Sequence, residues 1–268
     1  MNRNHEIAPG GTLKDLITGE TMHSSIGAWE EAHSLYVGQS DLGAARPGRP
    51  GPLVVYDVGM GVAANATALL EAARSHPIPS VHVVSFENDP SGLALALEHL
   101  DAFPYLRPWE PRLRELLRSG RIRHGGLQWD LHVGDFAALS LEGVPPADLI
   151  YFDFYSPKVC GPLWGVEIFS KLRAACAPGA RLITYSSATH ARVAMLLAGF
   201  FVGRGRATSA KSETTLAAPS REGLGKELLG EEWLAKLTRS SRAVPFGWDP
   251  GRKDEVIARL RRHPQFVG

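Results

Sequence analysis

Short apolar runs alternating with longer helical stretches, a glycine turn after the first central run, and acidic residues closing later runs predict an α/β protein. The expected architecture is a mostly parallel twisted sheet with helices on both faces. Right-handed crossovers then place a ligand at the carboxyl ends of the strands. Composition agrees. At 268 residues, 44% of them hydrophobic, and a net charge of +1, the chain can bury a sizeable core and is not predominantly disordered.

Residues 1–50 read as an N-terminal extension. Within it, 12–18 alternate weakly, as a short strand pair would. Residues 24–37 carry Ile26, Trp29, Ala32 and Leu35 at helical spacing, and the Gly-, Pro- and Arg-rich run 43–52 is a connection. Residues 51–218 form the central unit. Strands are expected at 53–58, 81–86, 127–133, 147–152, 181–185, 200–203 and 213–218, each a short apolar, β-branched or alternating run. Helices are expected at 64–75, which is Ala- and Leu-rich, at 90–100 with Pro90 in the first turn, and at 109–118, 166–175 and 188–197. Residues 219–268 read as a C-terminal helical appendage. Leu224, Leu228, Leu229, Leu234 and Leu237 space a helix over 224–237, and a second covers 256–262.

No apolar run is long enough to span a bilayer, and residues 1–10 lack the apolar segment of a secretory signal. With only Cys160 and Cys176, there is no disulfide framework, so a cytoplasmic, reducing setting is expected. No nucleophile elbow, zinc-protease helix, Cys pair at metal spacing or phosphate-binding P-loop is present, which argues against a hydrolase or a metalloenzyme. The charge is uneven. Residues 1–106 hold 5 Lys and Arg against 12 Asp and Glu; residues 107–268 hold 24 against 16. Six arginines fall within 107–123. That excess suits either an ordinary solvated surface or a face for a polyanion.

The turn Asp57-Val58-Gly59-Met60-Gly61-Val62-Ala63-Ala64-Asn65 lies between the first central strand and helix. Glycines there let backbone approach a ligand closely, and the helix start favours a negative group, although strand-to-helix turns also use Gly for steric reasons alone. Gly59-x-Gly61-x-x-Ala64 satisfies a dinucleotide fingerprint as well. Asp57 favours S-adenosyl-L-methionine: a carboxylate there can hold the ammonium of the methionine moiety, directly or through water, but sits badly beside a pyrophosphate. Glu87 closes the second strand, where it can accept from ribose hydroxyls of either cofactor. Asp135 follows the third strand, where it can take an adenine amino group or make an Asx turn.

Asp153 closes the fourth strand, in Ile150-Tyr151-Phe152-Asp153-Phe154-Tyr155-Ser156-Pro157, with Trp164 soon after. It would emerge in the cleft beside the reactive end of the cofactor, or cap the following turn. Aromatic residues around a carboxylate can sandwich a planar base. Methyl transfer to an amine is an in-line displacement that needs the lone pair aimed at the methyl carbon, and a carboxylate can orient the amine or take its proton.

These residues resemble a known family. Glu20-Thr21-Met22-His23-Ser24-x-x-Gly27-Ala28-x-x-Glu31 is similar to the E-T-Y-H-S-x-x-G-A-x-x-E segment of the MnmC-like methyltransferase domain. The turn 59–65 resembles its G-F-G-T-G-L-N, and Asp153-Phe154-Tyr155-Ser156-Pro157 its D-x-F-S/A-P. Leu163-Trp164, Thr184-Tyr185-Ser186-Ser187-Ala188, Ala198-Gly199-Phe200 and Lys211-Ser212-Glu213 match further segments in order. The resemblance spans roughly residues 6–218.

It implies a class I Rossmann-like methyltransferase using S-adenosyl-L-methionine, in standalone form without the FAD-dependent oxidase domain. Its substrate would be the 5-aminomethyl group of a tRNA wobble uridine, in an anticodon loop already single-stranded. Asp153 then corresponds to the catalytic-loop acid, and Asp57, Gly59, Gly61, Asn65, Glu87 and Asp135 fall to the cofactor. Glu20, His23, Ser24, Tyr155, Pro157 and Trp164 fall to the substrate side, and Lys211 to a phosphate at the rim. Residues 107–123 and the C-terminal basic residues would contact phosphates. The appendage would be a lid, a homodimer contact or a tRNA clamp. Departures from the family pattern are Met22 for Tyr, Ala63 for the third glycine, Ser212 for a basic residue, and Lys158-Val159-Cys160 after the Ser-Pro. They leave open a small-molecule methyltransferase on the same scaffold, or a non-catalytic tRNA- or cofactor-binding protein.

Overall fold

The computed structural model describes residues 4–8, 11–22, 27–43, 51–207 and 212–267. The chain opens with a hairpin of β1 (His5–Ala8) and β2 (Thr12–Asp15), then a short helix α1 (Ala28–Glu31) that runs on into a π-helical turn, Ala32–Tyr36. The central unit follows as β3 (Leu53–Val58), α2 (Ala64–Ala73), β4 (Val81–Glu87), α3 (Ser91–Glu98), α4 (Glu110–Ser119), β5 (Arg121–His124), β6 (Leu127–Val133), β7 (Ala147–Phe152), α5 (Val166–Ala174), β8 (Cys176–Thr184), α6 (Thr189–Leu197), β9 (Phe201–Gly205) and β10 (Thr214–Ala218). Helices α7 (Glu231–Leu237) and α8 (Lys253–Arg261) close it.

Eight strands form one sheet in the order β5-β6-β4-β3-β7-β8-β10-β9. The five strands from β6 to β8 pair in parallel, and β5, β10 and β9 join antiparallel. The order reverses at β3, which lies between β4 and β7, so the crevice for a ligand opens above β3. Strands β3 and β7 are buried along their whole length, as strands covered by helices on both faces must be. One core packs Leu69, Leu93, Leu113 and Leu116 against Val55, Val83 and Trp129. The other packs Phe169, Leu172, Val193 and Leu196 against Tyr56, Val84, Phe152 and Leu182. The apolar faces of α7 and α8 join this second core through Trp233, Leu237, Val256 and Leu260, so those faces are covered within the chain.

Two expectations give way. The leucines at 224–237 do not form one helix. Gly225 takes φ 52, Leu228 bridges to Gly203, and the Leu229 N–H donates to the Val202 carbonyl, so pairing with β9 overrides the helical spacing until residue 231. Strand β5 was not expected at all: Arg-Ile-Arg-His reads as polar because only Ile122 is buried, as suits an edge strand. The opposite edge, β9, is met by a side chain. Buried Gln265 accepts from the Val202 N–H at 2.7 Å and donates to the Val202 and Leu229 carbonyls at 2.8 and 2.9 Å.

Candidate active site

At the carboxyl ends of β3, β4, β6 and β7 lies a cavity of about 600 Å³, lined among others by Glu20, Glu31, Gly59, Gly61, Glu87, Asp135, Asp153, Tyr155 and Tyr185. Five of its lining side chains are carboxylic acids, and no Lys, Arg or His is among the described residues that line it. Such a lining favours cationic ligands.

The glycine turn forms the floor. Gly59 has φ 87, and a Cβ there would lie 2.6 Å from the Asp153 carbonyl oxygen, so only glycine lets β3 and β7 close together at this point. Ala63, where the family pattern has glycine, takes φ 60 and ψ 24, a left-handed conformation that L-alanine adopts at a cost. Ala63→Gly is therefore expected to stabilise the protein by about 1 kcal/mol in chemical denaturation.

Beneath Gly59, Asp57 is fully buried. The Trp129 indole N–H donates to Ser85 Oγ at 2.9 Å, and that hydroxyl donates to Asp57 Oδ2 at 2.8 Å. Asp57 Oδ1 is buried with no hydrogen-bond partner. Burial pushes the Asp57 carboxyl up to about 7. The Ser85 hydroxyl opposes this, and the charges of Asp153 and Glu87 add to it. Asp57 does not itself line the cavity, so its orphaned oxygen would be completed by a ligand ammonium through water rather than directly. Together with the glycine floor and the size of the cavity, it makes the residues present a fit for S-adenosyl-L-methionine.

Glu87 lines the wall with both oxygens engaged. Oε2 accepts from the Gly61 N–H and Oε1 from the Asp89 N–H, each at 2.9 Å. Burial raises its pKa and the backbone donors lower it, for a net rise. Asp135 lines the rim and also makes the Asx turn, accepting from the Ala137 N–H at 2.9 Å.

Asp153 continues β7, its N–H donating to the Val58 carbonyl at 2.8 Å. Asn65, expected on the cofactor, is buried at the start of α2 and donates to Asp153 Oδ2 at 2.8 Å. The loop after Asp153 is tied to the N-terminal hairpin. Tyr155 donates to Asp15 at 2.9 Å, and Glu20 accepts from the Ser156 N–H and hydroxyl at 3.0 and 2.5 Å. The Tyr155 phenol is held well above its usual range by burial and by Asp15. Trp164 and Pro157 are buried and do not line the cavity. Trp164 instead donates to the Tyr155 carbonyl at 3.0 Å and braces the loop from behind. His23, Ser24 and Lys211 lie outside the described residues.

Glu31, Phe136, Leu163 and Tyr185 line the cavity without having been singled out. Glu31, Leu163 and Tyr185 do belong to matched motif segments, and that was the available signal.

The arginine-rich stretch does not flank the cavity. Arg107 pairs with Asp101, Arg114 with Glu110, and Arg121 with Asp130. Arg112 and Arg74 both lie over the Trp109 ring, beside a smaller concavity that includes Pro79 and Ser80. Ser80 receives the first N–H of β3, so this concavity is at the opposite end of the sheet from Asp153.

Residues 106–220 match a protein family described as S-adenosyl-L-methionine-dependent methyltransferase. Among curated relatives, the tRNA 5-methylaminomethyl-2-thiouridine biosynthesis bifunctional protein MnmC of Polaromonas naphthalenivorans is 27% identical over 252 residues, covering 91% of this chain and 37% of the relative. The protein of the same name from Cupriavidus metallidurans is 29% identical over 74% of this chain and 31% of its own length. The chain thus spans about a third of the length of these relatives. Among solved structures, MNMC2 from Aquifex aeolicus superposes with a TM-score of 0.69 at 23% identity, covering 96% of this chain and 84% of that one, which agrees in fold. No helix among the described residues is long and apolar enough to cross a membrane. The chain shares its fold with MNMC2, matches the S-adenosyl-L-methionine-dependent methyltransferase family over residues 106–220, and is similar in sequence to part of MnmC.

Proposed function

We propose that this methyltransferase methylates the 5-aminomethyl group of a tRNA wobble uridine. The observation that carries the reading is Asp153, a carboxylate fixed by Asn65 at the end of β7 in a cavity lined by acids and without a basic side chain among its described lining residues. An amine is the nucleophile such a place receives. The names of the relatives, which refer to tRNA 5-methylaminomethyl-2-thiouridine biosynthesis, supply the base and the RNA.

When bound, S-adenosyl-L-methionine supplies an electrophilic methyl group. In the proposed division of work, Asp57 takes the ammonium of the methionine moiety through water and Glu87 takes the ribose hydroxyls. Gly59 and Gly61 admit the ligand close to the backbone, and Asp135 takes the adenine amino group at the rim. Asp153 accepts an N–H of the substrate amine, turns its lone pair toward the methyl carbon and receives the proton released after transfer. Tyr155 sits at the mouth beside the base. The Glu20 contacts to Ser156 and the Asp15 contact to Tyr155 keep this loop against the cavity.

The test is nucleoside mass spectrometry of tRNA carrying 5-aminomethyl-2-thiouridine, before and after incubation with protein and cofactor. The expected outcome is a gain of one methyl group on that nucleoside. No gain on tRNA, with methylation of the free nucleoside, would replace the RNA substrate by a small molecule. No gain on either would remove the aminomethyl substrate altogether.

A further inference from the structure

Gly161 is a glycine that its own backbone does not require. It opens the 3-10 turn Gly161–Trp164 without a positive φ, and Cys160 and Leu163 beside it line the cavity. The reason for it lies in the segment between α7 and α8. A Cβ at 161 would stand 3.0 Å from Phe246 Cδ1, 3.4 Å from Cε1 and 3.5 Å from Cγ, so the Phe246 ring occupies the space a side chain would take. The same ring meets His190, in the first turn of α6, edge to face with centroids 3.7 Å apart. His190 Nε2 is buried with no hydrogen-bond partner among the described residues. Burial, with the Arg242 charge, lowers the His190 pKa to about 4, so it packs as a neutral ring. Phe246 is itself anchored. Ala243 and Pro245 before it are buried, and Trp248 after it lies under the Arg252 guanidinium at 4.1 Å.

We propose that Phe246 is a positioning residue for the reactive loop, a stop that the C-terminal segment sets behind the cavity wall. The inference rests on the reading of 153–164 as that loop. Phe246 is not among the residues that line the cavity, so it acts through Gly161. Asp15 and Glu20 fix the start of the loop at Tyr155 and Ser156, and the burial of Trp164 fixes its end. Within it, the Cys160 N–H donates to the Ser156 carbonyl and the Leu163 N–H to the Cys160 carbonyl, each at 3.0 Å. A displacement at Gly161 is therefore passed along this turn to Ser156. Phe246 fixes the middle, where Cys160 and Leu163 meet the cavity. It also touches the segment after β8, which carries Tyr185 on the cavity wall a few residues before His190. One ring thus sets the spacing of two walls. In-line transfer depends on such spacing, because a misplacement of about 1 Å far from the chemistry can cost about 100-fold in rate.

The first readout needs no substrate. Cys160 adjoins Gly161, and Cys176 starts β8 at the opposite end of the sheet, so the two free thiols report on two places in one chain. Labelling of the free protein with N-ethylmaleimide, located by mass spectrometry, should raise the Cys160-to-Cys176 rate ratio about tenfold in Phe246→Ala, the worth of one aromatic contact. Phe246→Leu, which keeps most of the core volume, should raise it less. Gly161→Ala should raise the ratio in otherwise wild-type protein and add little to Phe246→Ala, because both substitutions act on the same contact. Equal acceleration of both thiols, no acceleration, or additive effects of the two substitutions would overturn the proposal and leave Phe246 a role in global stability alone. On aminomethylated tRNA, Phe246→Ala should lower the single-turnover rate about tenfold and leave affinity for S-adenosyl-L-homocysteine unchanged. A rate that holds while the thiol ratio rises would also end the positioning role. If the ratio rises as expected but wild-type protein never methylates tRNA, the Phe246 stop stands and the tRNA reading fails.

Discussion

Asp153→Ala is expected to lower methyl transfer by about 10³-fold, within the range of removing a positioned proton acceptor. Affinity for S-adenosyl-L-methionine should survive, because the proposed cofactor contacts come from β3, β4 and the turn after β6. Single-turnover rates on aminomethylated tRNA, paired with calorimetry of the cofactor, separate the two. Asp153→Asn keeps the shape and an acceptor for the Asn65 amide but loses the charge, so it should be nearly as slow; activity retained in Asp153→Asn would end the proton-acceptor role. Asn65→Ala should cost less, because Asn65 acts only through the aim of Asp153. A side effect is expected too. Asp153 is one of the charges that raise the Asp57 pKa, so its removal should move the acid limb of cofactor binding to lower pH.

That limb is the second large effect. In the free protein, burial holds the Asp57 carboxyl at about 7, with Ser85 opposing and Asp153 and Glu87 assisting. The proposed ligand ammonium needs the ionised form. Affinity for S-adenosyl-L-homocysteine, which keeps that ammonium, should therefore be flat above pH 7 and fall by up to about tenfold per pH unit below it. Stability runs the other way. An unfolded Asp57 would titrate near 3.8, the ordinary value for an aspartate, so between about 4 and 7 the native state holds the extra proton and stability declines as pH rises. Asp57→Asn removes both slopes. It should melt several degrees higher than wild type at pH 8 and bind S-adenosyl-L-homocysteine about 100-fold more weakly. A variant that melts lower at pH 8, or binds as tightly as wild type, would show that Asp57 serves the fold rather than the cofactor.

The central unit was legible because its signals are local. Residues 53–58 form a run, apolar but for Asp57, that is buried on both faces, and the turn that follows must bring Gly59 against the Asp153 backbone, so glycine appears there in the sequence. Acids at strand ends were legible for the same reason: Glu87 and Asp153 each close a run of β-branched or aromatic residues, and Asp57 is the last residue but one of β3. What was not legible depends on distant partners. The leucines of 224–229 are drawn to β9 by backbone pairing, and Arg121–His124 becomes a strand only because Leu127–Val133 offers its edge. Trp164 reads as a cleft aromatic from its neighbours, yet the core beneath α5 claims it. The arginines of 107–123 look like one polyanion-binding band in the sequence. In space Arg107, Arg114 and Arg121 go to acidic partners and Arg112 to the far end of the sheet.

Gln265 carries a consequence for handling the protein. Strand β9 pairs with β10 on one side; on the other, Leu228 bridges to Gly203, the Leu229 N–H donates to the Val202 carbonyl, and the Gln265 amide meets the N–H and C=O of Val202 as a neighbouring strand would. The Gln265 side chain thus acts, with the Leu228–Leu229 segment it ties down, as a plug on an adhesive seam. Tags or truncations that dislodge it would leave Val202 and Leu229 seeking replacements from other molecules. The resulting defect would show first as clumping on concentration, with the cavity at the carboxyl ends of β3, β4, β6 and β7 still intact.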